Sequence, residues 1–258
     1  MKLSDNHASL RLAGRNMTPN MNSVSAIVAL AALAILGSVP RPAFAAEEDG
    51  VALAIIYDTS GSMRETVPDQ NGKPLSKYII ANRALVAIAK QIQTFATNTG
   101  TGAPRRVDAG LFVFSGDSAR QAVPFGPFDP KAIQDFARHF SNPNGNTPLG
   151  NSLALAAQAV LESPLPRKHV LLITDGMNTA GPRPESVLPA LQRKAGEKGA
   201  ALSVHFVAFD VDAKVFDKVK KQGATVVAAA NEKQLASQLE FIMQKKILLE
   251  EEEPPKKK

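Results

Sequence analysis

The sequence predicts an α/β fold built on a doubly wound, mostly parallel six-stranded sheet, with one antiparallel edge strand and helices on both faces. Three observations predict it. Short runs rich in β-branched residues, beginning with VALAIIY at 51–57, are apolar throughout rather than alternating, as expected of strands covered on both faces. Between them lie segments of helical period: in 76–97, Ala81, Leu85, Ile88, Ile92 and Phe95 recur at intervals of 4, 3, 4 and 3. The two kinds of segment alternate along the chain, which implies parallel strands joined by helical crossovers.

The elements follow in order. Residues 51–57 form the first strand and 76–97 the first helix. A second strand spans 107–114, and Ser115-Gly116-Asp117 turns it into a hairpin partner at 119–124, whose terminal Pro124 suits a sheet edge. Asp129-Pro130 combines an N-cap with proline at the first helical position, so a helix runs to His139. After the loop 141–146, Pro148 starts a helix that puts Leu149, Leu153, Ala156 and Val160 on one face. Strands at 168–174, 201–209 and 224–228 alternate with helices at 184–198 and 213–221. Asn231 caps a last helix carrying Leu235, Leu239 and Ile242. The pattern is Rossmann-like in outline, with no internal repeat and no linker inside it.

The ends of the chain read differently. Residues 24–37, VSAIVALAALAILG, are almost wholly apolar but too short for a membrane span of about 20 residues. With Lys2, Arg11 and Arg15 before them and Ala43-Phe44-Ala45 after them, they are expected to form the apolar region of an export signal cut after Ala45, with an uncleaved anchor as the alternative. The expected organisation is a signal at 1–45, one domain at 46–247 and a charged, solvated tail at 248–258. Export implies a periplasmic or secreted protein with no stable membrane anchor once the signal is cut. The net charge of +6 then carries little meaning. Loss of Lys2, Arg11, Arg15, Arg41 and Asp5 leaves +3, which gives no reason to expect a nucleic-acid partner. The chain has no cysteine, which excludes disulfides, thiolate metal sites and a cysteine nucleophile, and no tryptophan.

The chemistry gathers at the strand ends. In a doubly wound sheet, ligands bind beyond the carboxyl ends of the strands, where strand order reverses. The first strand runs out into Asp58-Thr59-Ser60-Gly61-Ser62, and the strand at 168–174 into Asp175-Gly176. Asn146-Thr147-Pro148 precedes the helix between them. Two carboxylates and three hydroxyls can thus meet at one rim. All are hard oxygen donors, a set that suits Mg²⁺, with Mn²⁺ or Ca²⁺ as alternatives, and disfavours zinc and copper. Two carboxylates neutralise a divalent ion, and neutral hydroxyls leave it electrophilic. No phosphate-binding loop is present, since the turn after the first strand has one glycine and no lysine in that spacing.

Asp58-Thr59-Ser60-Gly61-Ser62 resembles the DxSxS signature of the von Willebrand factor type A family, which opens its metal-ion-dependent adhesion site. Thr147 in GNTPL and Asp175 in ITDG match the places of the Thr and Asp that complete that site, and the resemblance extends over about residues 49–246. It implies that Ser60, Ser62 and Thr147 coordinate an ion directly. Asp58 and Asp175 would act directly or through water. The remaining position would take a Glu or Asp from a partner protein.

The expected function is therefore an exported, Mg²⁺-dependent protein-binding module and not an enzyme. One alternative is a scaffold of an envelope complex with a structural metal. A remote one is Mg²⁺-dependent phosphoryl transfer, but enzymes that use an aspartyl nucleophile of the haloacid dehalogenase type carry a second Asp where this chain has Ser60. Around the rim, the loops at 64–75, 98–104 and 177–184 are expected to flank the metal or lie close to it, with Met63 and Met177 ringing it as apolar contacts or local packing. Asp210 and Asp212 are expected to cap the next helix, Arg105 and Arg106 to lie on a solvated face near Lys73 or Lys77, and His139, His169 and His205 to show no ligand spacing.

Overall fold

The computed structural model describes residues 50–98 and 105–249. The expected export signal, residues 99–104 of the loop at 98–104, and residues 250–258 of the tail lie outside the described residues.

A six-stranded sheet organises the domain. Its strands are β1 (Gly50–Tyr57), β4 (Arg106–Ser115), β5 (Ser118–Pro127), β6 (Arg167–Thr174), β7 (Leu202–Phe209) and β8 (Thr225–Ala229). The spatial order is β5-β4-β1-β6-β7-β8, with every pair parallel except β4–β5. The chain leaves β1 toward β4 on one side and returns to β6 on the other. The reversal of strand order therefore falls at β1, and the crevice beyond the ends of β1 and β6 is where such a sheet holds a ligand.

The alternation of β1 separates two cores. Val51, Leu53, Ile55 and Tyr57 face one layer, formed with helices α1 (Lys77–Thr97), α2 (Pro130–His139) and α6 (Glu232–Ile242). Ala52, Ala54 and Ile56 face the other, with α3 (Leu149–Glu162), α4 (Pro184–Glu197) and the short α5 (Asp217–Lys221). Every residue of β1 is buried, so the strand that carries Asp58 is fixed from both faces. Each large apolar side chain withdrawn from water contributes about 1.5–3 kcal/mol, and the rim rests on this platform without supplying it.

Local signals explain the element ends. Asp129 accepts hydrogen bonds from the Lys131 and Ala132 N–H groups, and Asn231 from that of Gln234, so both act as the expected N-caps. Three features were not expected. Residues 64–75, expected as a loop, contain a small hairpin, β2 (Thr66–Pro68) with β3 (Pro74–Ser76). The segment expected as a helix at 213–221 is a 3₁₀ turn, Ala213–Phe216, followed by α5. The last helix continues as a π-helical segment, Met243–Leu248, that buries Met243, Ile247 and Leu248. No helix among the described residues is long and apolar enough to cross a membrane.

Candidate functional site

The site starts where β1 ends. The Asp58 N–H still pairs with the Ile173 carbonyl (3.1 Å), but its side chain turns back on the chain. Oδ1 accepts from the Ser60 N–H at 2.8 Å, and Oδ2 accepts from the Thr174 hydroxyl at 2.6 Å. The first bond is the two-residues-on turn that Asp makes readily, and it folds Ser60 and Ser62 round the end of the strand. Their hydroxyls lie 3.1 Å apart, and Ser62 Oγ donates to Asp175 Oδ1 at 2.8 Å.

The other side comes from the loop before α3. The Gly61 N–H donates to the Gly145 carbonyl (3.2 Å), and the Asn144 N–H to that of Thr59 (2.8 Å), so the two loops lie against each other. Thr147 is fastened by its backbone: its N–H donates to Thr179 Oγ1 (2.8 Å), and its carbonyl accepts from the Thr179 N–H (3.0 Å). Its hydroxyl is left facing the site. The helix N-cap is Pro148, not Thr147, and the Ser60 side chain makes no capping bond either.

Gly176 measures the convergence. A Cβ placed there would lie 3.6 Å from Thr147 Oγ1 and 3.8 Å from Ser62 Oγ. The structure thus brings Asp58, Ser60, Ser62, Thr147 and Asp175 together at one rim, with all but Ser62 buried. Among the described residues, no group of three or more His, Asp or Glu side chains is arranged to hold a metal. The donor set here is mixed, two carboxylates and three hydroxyls, which fits a hard divalent cation and not a softer metal.

Charge supports that fit. Burial, then the neighbouring Asp175, hold the Asp58 carboxyl well above the usual carboxylate range against the pull of its hydrogen bonds. Burial also raises Asp175, although Ser62 and Lys77 oppose it. Two desolvated carboxylates side by side favour either a proton or a cation.

Lys77 is the site residue that sequence reasoning missed. It is not on a solvated face. It is 2% exposed, and its Nζ lies 3.1 Å from Asp175 Oδ2, 2.8 Å from Glu65 Oε2 and 2.9 Å from Asp210 Oδ2. Burial works against its charge, but the three carboxylates outweigh it and raise its pKa. A signal was present. Lys77 opens α1, where the helix dipole disfavours a cation, and it lies in line with the buried Ala81 and Leu85.

The structure places further residues of interest. Met63 takes the packing role of the two open to it, fully buried in the core, while Met177 is 62% exposed. Asp212 caps the following turn through the Lys214 N–H, but Asp210 is bound to Lys77 instead. Thr59, unassigned before, closes the end of β4: its hydroxyl donates to the Phe114 carbonyl and accepts from the Phe114 N–H.

A reversed-order α/β sheet with an oxygen-donor rim at the switch point defines the class. Residues 53–178 match the family model of the von Willebrand factor type A domain. No curated protein matches the chain in sequence. Among solved structures, it is similar to the PilB minor pilin from Streptococcus sanguinis, at 18% identity and a TM-score of 0.56 over 75% of this chain and 61% of the pilin. It is also similar to the vWF domain of the type V pili tip protein Mfa5 from Porphyromonas gingivalis (12% identity, TM-score 0.51, 75% of this chain and 95% of that one). A third match is the SpRpn10 VWA domain (14%, 0.50, 73% and 93%). These likenesses show the fold. The chain spans about three fifths of the pilin's length.

Proposed function

We propose that the rim beyond β1 and β6 is a divalent-cation site through which the domain grips an acidic side chain of a partner protein. Asp58, Ser60, Ser62, Thr147 and Asp175 would hold the ion, Mg²⁺ by donor chemistry, with Mn²⁺ or Ca²⁺ as substitutes. A bound ion supplies an electrophilic position for the partner's Glu or Asp. The surrounding loops supply specificity, and the exposed Met177 gives them an apolar contact.

One observation carries the reading: the carboxylates converge with too little positive charge. Lys77 meets Asp175, whereas Asp58 is met by a backbone N–H and a hydroxyl, neither of them charged. The match to the von Willebrand factor type A family agrees with a binding role rather than catalysis, and two of the similar structures are pilus proteins. Together with the signal-like N-terminus, this supports an exported protein working outside the cytoplasm.

The test is a calorimetric titration with Mg²⁺ and a capture experiment on envelope and secreted proteins. Asp58→Asn is the variant of choice, because it removes the charge and keeps an oxygen for the Ser60 N–H. We expect Mg²⁺ binding to weaken by roughly 100-fold or more in that variant, and a partner retained with Mg²⁺ to be released by EDTA. Wild-type protein that takes no divalent ion would refute the reading. A partner held equally with Mg²⁺, with EDTA and by Asp58→Asn would move the interaction away from the rim.

A further inference from the structure

We infer that Lys77 sets the cation affinity of this rim: its ammonium is a built-in counter-charge that shares Asp175 with the divalent ion and competes for it. The inference rests on the cation-site reading above and adds a residue that lies outside the oxygen-donor set.

Geometry carries it. The ammonium is buried, and its three carboxylate partners come from three separate segments. Glu65 follows the turn after β1, Asp175 follows β6, and Asp210 follows β7. Lys77 holds Asp175 Oδ2 while the Ser62 hydroxyl holds Oδ1, so both oxygens of that carboxylate are oriented. Asp210 has φ of 56°, and among the described residues it is the one non-glycine with positive φ. Such a backbone persists where its surroundings fix it, and here the side chain is fixed by the Lys77 ion pair. The partners differ in exposure: Asp175 is buried at the rim, whereas the Glu65 and Asp210 side chains are 68% and 40% exposed.

The charges give a direction. Without a cation, Lys77 offsets Asp175 and eases its repulsion with Asp58. With one, two positive charges lie against the same carboxylate. Like charges a few ångströms apart at a partly buried site change affinity by well over tenfold. Lys77 therefore holds the cation-free site together and keeps the ion exchangeable. Glu65 and Asp210 are the partners that take up the ammonium when Asp175 turns to the ion.

The experiment is a Mg²⁺ titration of the purified wild-type, Lys77→Met and Lys77→Arg proteins, with thermal unfolding of each in EDTA. Lys77→Met should bind Mg²⁺ at least tenfold more tightly while its EDTA melting temperature falls. Lys77→Arg should stay within about threefold of wild type, since the charge is kept. Equal affinity in wild type and Lys77→Met overturns the inference and leaves the cation site standing. Binding by Lys77→Met alone supports it in its strongest form. Binding by neither protein overturns the cation-site reading and this inference with it. A second variant avoids the buried position. Glu65→Gln with Asp210→Asn leaves the ammonium to Asp175 alone and should weaken Mg²⁺ severalfold in the wild-type background, with a smaller loss in Lys77→Met. Unchanged affinity, or an equal loss in both backgrounds, overturns the inference.

Discussion

At the scale of the residue, Gly176 separates what the rim does from what holds it up. The 3.6 Å and 3.8 Å that a Cβ would keep from Thr147 Oγ1 and Ser62 Oγ are ordinary contact distances, so an alanine fits without moving the backbone. The same methyl would nevertheless stand among the oxygen donors. Gly176→Ala should keep its unfolding free energy within about 1 kcal/mol of wild type, yet bind Mg²⁺ at least about tenfold more weakly. Denaturant unfolding and calorimetry together check this. Full Mg²⁺ affinity in Gly176→Ala would place the cation away from these two hydroxyls. Single residues also show where the pattern of the motif stops being informative. Thr59 sits between Asp58 and Ser60, and its hydroxyl is spent on the end of β4, so neighbouring hydroxyls in one turn divide between building the sheet and facing the site.

At the scale of the element, the loop that leads into α3 carries Thr147, and the first turn of α3 is wedged against the loop before α4. A Cβ on Gly150 would lie 2.1 Å from the Pro182 carbonyl oxygen and 2.8 Å from its carbon, which are backbone atoms that cannot swing aside. Gly150→Ala should therefore cost roughly 1–3 kcal/mol, as overpacking does. It should also loosen Mg²⁺ binding, because the displaced loop includes Thr179, which holds Thr147 by two hydrogen bonds. An unchanged urea midpoint would contradict the first statement, and unchanged Mg²⁺ affinity the second. The six strands and the long helices were legible beforehand because both signals are local: uninterrupted apolar runs for doubly covered strands, and the 3.6-residue stripe of α1. The caps at Asp129 and Asn231 were legible for the same reason. The β2–β3 hairpin was not, since TVP and PLS are three-residue, proline-bounded strands with no period to read. Lys77 is not legible in the same way, because a lysine is ordinarily solvated and its place on the buried stripe of α1 runs against that rule. Only the folded chain shows the three carboxylates, distant in sequence, that make this burial tolerable. Met63, next to Ser62 in sequence, is open to a rim contact or to local packing, and the 3₁₀ turn Gly61–Arg64 decides between them by burying the side chain in the core.

At the scale of the whole molecule, a pair of buried histidines ties stability to pH. His169 on β6 and His205 on β7 stack with ring centroids 5.6 Å apart, and His169 Nδ1 lies 3.4 Å from His205 Nε2. Such a contact needs one ring to accept, so it does not survive protonation of both. Burial first, then the charges of His205 and Arg167, press His169 down to about 3; burial and Lys246 press His205 to about 4. Both values lie below the 6.5 of an unfolded histidine. The unfolded chain therefore binds protons that the folded one refuses, and stability falls as pH drops from about 6.5 toward 4. At pH 5 each ring should cost on the order of 2 kcal/mol relative to neutral pH. Asp58 acts in the opposite sense. Its raised carboxyl takes up a proton in the folded state, so its contribution grows as pH falls and disappears as pH rises through about 6. The two effects are separated by comparing wild type with His169→Leu/His205→Leu, in which the carboxylates are common to both proteins. Urea unfolding between pH 5 and 7.5 should show the wild-type free energy falling more steeply toward acid than that of the double variant, with the gap widening to several kcal/mol. Parallel profiles would mean that the rings titrate normally and that the layer between β6, β7 and Met243–Leu248 admits water.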